Sequence, residues 1–159
     1  MPRGGDWGNL SIIFGKTVFA MLMGSYQHNI DAKGRIIMPA KFREELGEVF
    51  YAAKGPDESV TVFSQKGWEE FGAKICALPS AQAKDLKRFF FSSAAELIPD
   101  KQGRVQLTQL LREYAHLDKD VMIIGTGSRV EIWDLNRWNQ YNSAISESQM
   151  LEILNLYDI

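Results

Sequence analysis

An internal near-repeat constrains this chain most. Residues 31–44 read DAKGRIIMPAKFRE, and residues 100–113 read DKQGRVQLTQLLRE. Asp31, Gly34 and Arg35 match Asp100, Gly103 and Arg104 at an offset of 69, as Arg43 matches Arg112 and Glu44 matches Glu113. Further on, SVTVFSQKGW (59–68) answers RVEIWDLNRW (129–138) at an offset of 70. Phe63 then pairs with Trp133, Trp68 with Trp138, and Phe71 with Tyr141. Two blocks matching in the same order mark a duplicated unit. Units this small cannot each bury enough apolar surface to stand alone, so they must pack on each other as a pseudo-two-fold pair.

Each unit reads the same way. A strand at 25–30 enters the turn Asp31–Arg35 and returns at 35–38 as a hairpin, because Asp bonds its own backbone and Gly takes positive φ. Pro39 suits the first turn of a short helix through Leu46. Strands follow near 48–54 and 59–63, and Ser64 caps a helix that puts Trp68, Phe71, Ile75 and Leu78 on one face. In the second unit, strands at 94–98 and 104–107 flank the turn Asp100–Arg104. Thr108 caps a short helix, strands follow near 120–125 and 129–133, and Asp134 caps a helix carrying Leu135, Trp138, Tyr141 and Ile145. The expected organisation is a 1–20 extension, unit 1 over 25–72, a helical linker over 73–93, unit 2 over 94–142 and a helical tail over 143–159. Architecturally this is an α+β fold with a barrel-like β core. Residues 1–20 (MPRGGDWGNLSIIFGKTVFA) lie outside the repeat. Asp6 and Lys16 break their apolar stretch, and no small-residue cleavage site follows. They are expected to be non-native or disordered, with Met21 and Met23 standing just before the first patterned strand. No apolar run of transmembrane length occurs, which points to a cytosolic protein.

Candidate chemistry concentrates on the two turns. One carries Lys33 and Arg35, the other Lys101 and Arg104. Arg suits bidentate contact with phosphate or guanine, Lys contacts phosphate as a point charge, and a two-stranded ribbon can enter the major groove. A single Asp-x-x-Gly-Arg is an ordinary turn whose Arg salt-bridges its Asp; two copies in register make a candidate surface. Asp31, Gly34, Asp100 and Gly103 then shape the turns while Arg35, Lys33, Arg104 and Lys101 bind. The net charge of -2 excludes a histone-like polycation, so local clusters must carry any nucleic-acid binding. Residues 24–54 hold Lys33, Arg35, Lys41, Arg43 and Lys54 against Asp31, Glu44, Glu45 and Glu48, a net of +1. Residues 134–159 hold Arg137 against Asp134, Glu147, Glu152 and Asp158, a net of -3, so the acidity sits in the tail.

Catalytic and metal readings find no support. One cysteine, Cys76, and two histidines, His28 and His116, give neither a disulfide framework nor a metal site. A carboxylate dyad of Asp31 and Asp100 is disfavoured, because the neighbouring cations hold both ionised. No nucleophile motif or Gly-rich phosphate loop occurs. Cys76 reads as a small core residue, His28 as a packed strand residue and His116 as a helix-end residue. Trp68 and Trp138 read as core, and Phe89-Phe90-Phe91 as core or subunit interface. No enzyme, cofactor or metal is expected.

GSYQHNIDAKGRIIMPAKFRE, the second DKQGRVQLTQLLRE block and their spacing resemble the MraZ family, built from two tandem SpoVT-AbrB-like units. The resemblance covers Met21 to the C terminus, and the doubled turn is its specific part. It implies a swapped-hairpin or double-ψ β-barrel made by the two halves and a ring-shaped homo-oligomer. It further implies a nucleoid-associated regulator that binds short direct repeats in promoter DNA and represses the division and cell-wall gene cluster, its own gene included. Arg35 would be the main DNA contact with Lys33 beside it, and Arg104 and Lys101 their equivalents. Gln102 stands opposite Lys33, so the two tips need not contribute equally. The alternative is a ring-forming interaction scaffold or antitoxin-type module of the same fold.

Overall fold

A computed structural model describes the backbone of residues 11–14 and 17–159, and side chains from Met21 onward. The strands β1 (Ser11–Phe14) and β2 (Thr17–Ala20) pair antiparallel. They are the described part of the 1–20 segment, read above as a non-native or disordered extension; the rest of that segment lies outside the described residues.

Unit 1 then runs β3 (Ser25–Asn29), β4 (Arg35–Ile37), α1 (Ala40–Leu46), β5 (Phe50–Lys54), β6 (Val60–Ser64) and α2 (Gln65–Cys76). The helix α3 (Ser80–Phe91) connects it to β7 (Ala95–Leu97), β8 (Arg104–Gln106), α4 (Gln109–Tyr114), β9 (Asp120–Gly125), β10 (Val130–Asp134) and α5 (Leu135–Ser143). A last helix, α6 (Glu147–Leu156), follows. The caps form as cap chemistry dictates: Ser64 accepts from the Gly67 N–H, Thr108 from Leu111 and Asp134 from Arg137. Pro39 precedes the first helical residue of α1 and sits in extended backbone, one position earlier than expected.

The central sheet has six strands in the order β3-β9-β10-β6-β5-β7. All its pairings are antiparallel. Exchanging the two units maps this order onto itself, so the duplication is a structural two-fold. The sheet corrects one expectation. β3 does not return onto β4 as a hairpin; it pairs with β9 of the other unit, and β7 pairs with β5. β4 pairs instead with its own counterpart β8, forming a separate two-stranded ribbon. Each turn therefore leads from the central sheet into the ribbon.

Alternation explains the ribbon. Ile36 and Val105 are buried and directly opposed, and they join Met38, Phe42, Leu107 and Leu111 in one core cluster drawn from both units. A second apolar layer lies over unit 1. Phe63 meets Trp68 at 5.3 Å and Phe71 at 5.0 Å between ring centroids, and α3 covers them through Phe90 and Phe91. Phe89 turns outward. In unit 2, Trp133 meets Trp138 at 5.4 Å and Tyr141 at 5.0 Å, as the repeat requires. Leu78 and Ile145 fall beyond the ends of their helices and are exposed, not on the buried faces expected of them. Cys76, the last residue of α2, is also exposed and not a core residue, because it lies one residue round the helix from the buried Ile75. No helix among the described residues is long and apolar enough to cross a membrane.

Candidate nucleic-acid interface

The two turns have the same internal wiring. Asp31 Oδ1 accepts from the N–H groups of Lys33 and Arg35, both at 2.9 Å, while Oδ2 accepts from Arg35 Nε at 2.7 Å. Asp100 repeats this with Gln102, Arg104 and Arg104 Nε at 2.9, 2.9 and 2.7 Å. The Gly34 and Gly103 N–H groups close the turns onto the Asp31 and Asp100 carbonyls. The Arg35 backbone N–H is the strongest influence holding the Asp31 carboxyl below its ordinary range; partial desolvation opposes it, and the Arg35 guanidinium and Lys33 N–H reinforce it. Asp100 is held low in the same way by Arg104, with Gln102 in the place of Lys33. Both aspartates are thus anionic shaping groups.

The two turns are also bound to each other's unit. The Met38 N–H donates to the Gly103 carbonyl and the Leu107 N–H to the Gly34 carbonyl, each at 3.0 Å. Arg43 Nε donates to Met38 O at 2.9 Å, and Arg112 Nε to Leu107 O at 3.3 Å. Those guanidiniums lie flat against the opposite turns. A Cβ on Gly34 would stand 2.8 Å from Arg112 Cζ, and one on Gly103 would stand 2.7 Å from Arg43 Cζ. Positive φ and close approach both demand glycine there.

Because Ile36 and Val105 point into the core, Arg35 and Arg104 project from the opposite face of the ribbon. In each, Nε is occupied by the turn aspartate. Among the described residues no hydrogen bond uses either Nη atom of Arg35 or Arg104, so both terminal amino groups remain as a fork. Lys33 and Lys101 are exposed on the turns but at non-equivalent positions, since Gln102 is the repeat counterpart of Lys33 and Ala32 that of Lys101. The structure therefore brings Arg35 and Arg104 onto one face of one ribbon, and sets Lys33 and Lys101 on the turns at its opposite ends. Reasoning from sequence missed Arg43 and Arg112 as parts of this site. Their match in the repeat was the available signal, and among the described residues neither forms an ion pair. Asp31 and Asp100 neutralise two of the four guanidiniums, which leaves a local excess of positive charge despite the acidic total. No group of His, Cys, Asp and Glu among the described residues is placed to hold a metal.

Comparison with known proteins agrees with the duplication. The model of the MraZ protein family, antitoxin-like by its description, matches residues 21–88 and again 90–153. The transcriptional regulator MraZ of Carboxydothermus hydrogenoformans is 54% identical over 123 residues, covering 76% of this chain and 86% of the relative. That of Heliobacterium modesticaldum is 49% identical over 143 residues, covering 87% and 100%. That of Syntrophomonas wolfei is 48% identical over 141 residues, covering 87% and 99%. Both repeats match the family model and the relatives align over nearly their full length, so this chain belongs to the MraZ family, a family of transcriptional regulators and not of enzymes.

Proposed function

We propose that this protein is a DNA-binding transcriptional regulator that contacts promoter DNA through the β4–β8 ribbon and its two turns. Arg35 and Lys33, with Arg104 and Lys101, make the contacts; Asp31, Gly34, Asp100 and Gly103 hold them in place. One observation carries the reading: each unit delivers an arginine, clamped at Nε by its own aspartate, to the same face of a shared ribbon. An Nη fork is the part of arginine that pairs bidentately with phosphate or with guanine O6 and N7.

The exchange of β3 and β7 between units supports assignment to the swapped-hairpin barrel class. Few cations per subunit give modest affinity, so the protein acts as a homo-oligomer on short direct repeats, where effective concentration multiplies the contacts. The exposed Met150, Leu151, Ile153 and Leu154 of α6 supply apolar surface for assembly. The target is the division and cell-wall gene cluster, its own gene included, and the effect is repression at the nucleoid.

The test is a gel shift on the DNA just upstream of the gene. Arg35→Ala is expected to weaken binding by about 1–3 kcal/mol with the fold retained by circular dichroism. Wild-type affinity should fall steeply with salt. Unchanged binding by the variant removes Arg35 from the site. The same exposed residues of α6 favour a second reading, a protein-interaction scaffold or antitoxin-type module; no affinity for upstream DNA even at low salt would select it.

A further inference from the structure

The pseudo-two-fold of the ribbon is broken at one pair of outward residues, and this bears on what DNA sequence it can read. Between the buried Ile36 and Val105, the outward face carries Arg35 and Ile37 from β4 and Arg104 and Gln106 from β8. The register sets Arg35 opposite Gln106 and Ile37 opposite Arg104. Under the 69-residue repeat Arg35 maps onto Arg104, but Ile37 maps onto Gln106. One end of the ribbon therefore presents an arginine beside a carboxamide, the other an arginine beside a branched alkyl group.

We propose that Ile37 and Gln106 are the specificity-determining residues that make the ribbon's recognition element asymmetric; the proposal rests on the DNA-binding reading of this ribbon. A glutamine carboxamide pairs bidentately with adenine N6 and N7, and an alkyl side chain contacts the thymine methyl. Gln106 Nε2 donates to Lys33 O at 3.1 Å. That bond uses one of its two protons and fixes the amide plane, leaving Oε1 and the second N–H for a base edge. Ile37 is 43% exposed on the same face as Arg35, and it forms no part of the core cluster to which Ile36 belongs. The Arg35–Gln106 end thus reads a guanine with an adjacent adenine, and the Arg104–Ile37 end a guanine with an adjacent thymine. Two different half-reads make the element itself non-palindromic and give it a direction.

The experiment is selection from a randomised duplex library with the full chain, followed by affinities for every single-base variant of the selected element. Wild type should select a non-palindromic element. Gln106→Ile should lose roughly 5- to 150-fold in affinity at the adenine step and relax preference there. Ile37→Gln, which gives both strands the same outward residues, should retain affinity and shift selection toward a palindrome. Both positions are exposed, and matching thermal melts exclude misfolding. Base preferences unchanged in both variants, with Arg35→Ala still abolishing selection, would overturn this proposal alone. No selected element and no salt-dependent binding by wild type would overturn it together with the DNA-binding reading.

Discussion

Gly34 sits at φ +79 with the Arg112 guanidinium against it, so two separate penalties meet on one added methyl group. Gly34→Ala is expected to destabilise the protein by about 1–3 kcal/mol from the backbone alone, with the contact adding to it. Measured by denaturant melts, the cost should shrink in an Arg112→Ala background, where the contact is gone, but not vanish, because the φ remains. An equal cost in both backgrounds would mean the guanidinium moves aside freely. The aspartates of the same turns make a prediction about acid. Their folded carboxyls titrate below the ordinary value of 3.8, chiefly because backbone N–H groups solvate the anion. The unfolded chain therefore binds protons first. The stabilisation is fully present above that ordinary, unfolded value and is lost as pH falls through the lower folded value. A double Asp31→Asn, Asp100→Asn variant keeps an acceptor for the backbone N–H groups but loses the charge. Its melting temperature should fall less steeply than wild type below pH 4, and parallel acid limbs would refute the assignment.

At the level of elements, the two short helices that follow the ribbon strands start differently. α4 begins on Thr108, whose hydroxyl accepts the Leu111 N–H at 3.2 Å, whereas α1 begins after Pro39 with no side-chain cap. Thr108→Ala is expected to cost about 1 kcal/mol, read as a lower denaturation midpoint at unchanged slope. A change in slope would instead signal loss of two-state behaviour. Caps such as Ser64, Thr108 and Asp134 were legible in the sequence because the partner lies three residues away and the chemistry is local. Asp31 and Asp100 were legible for the same reason. Strand partners were not. The alternation around Ile36 says which side chain faces inward but not which strand lies alongside, so β3 and β4 read as a hairpin although they belong to different sheets. Arg43 and Arg112 were visible as repeat matches, but their seats against the opposite glycines depend on how the units interlock. The helical tail was equally legible as a helix. Whether it packs was not: α3 lays Phe90 and Phe91 over unit 1, while α6 leaves its apolar residues exposed.

Across the whole molecule, neither unit completes its own sheet. β3 leaves unit 1 to border β9, β7 leaves unit 2 to border β5, and the ribbon takes one strand from each. Phe42 and Leu46 of one unit and Leu111 and Ala115 of the other lie in the same buried cluster. Unfolding one unit would strip a strand and half the core from its neighbour, leaving unpaired backbone groups and apolar surface in the remainder. The two repeats are therefore expected to melt together. Calorimetry should give one transition whose calorimetric and van't Hoff enthalpies agree. The exchange also predicts what happens when the chain is divided in the exposed segment 77–79 between α2 and α3. Residues 21–77 alone lack the partners of β3 and β4, the β7 edge of β5 and the β10 edge of β6, and residues 78–159 lack the complementary set. Each piece alone should show little fixed tertiary structure by near-ultraviolet circular dichroism, and an equimolar mixture should regain the spectrum of the intact chain. Two resolved thermal transitions, or a native-like spectrum from a single monomeric fragment, would show that each repeat folds on its own and that the interlocked ribbon is a docking contact between finished domains.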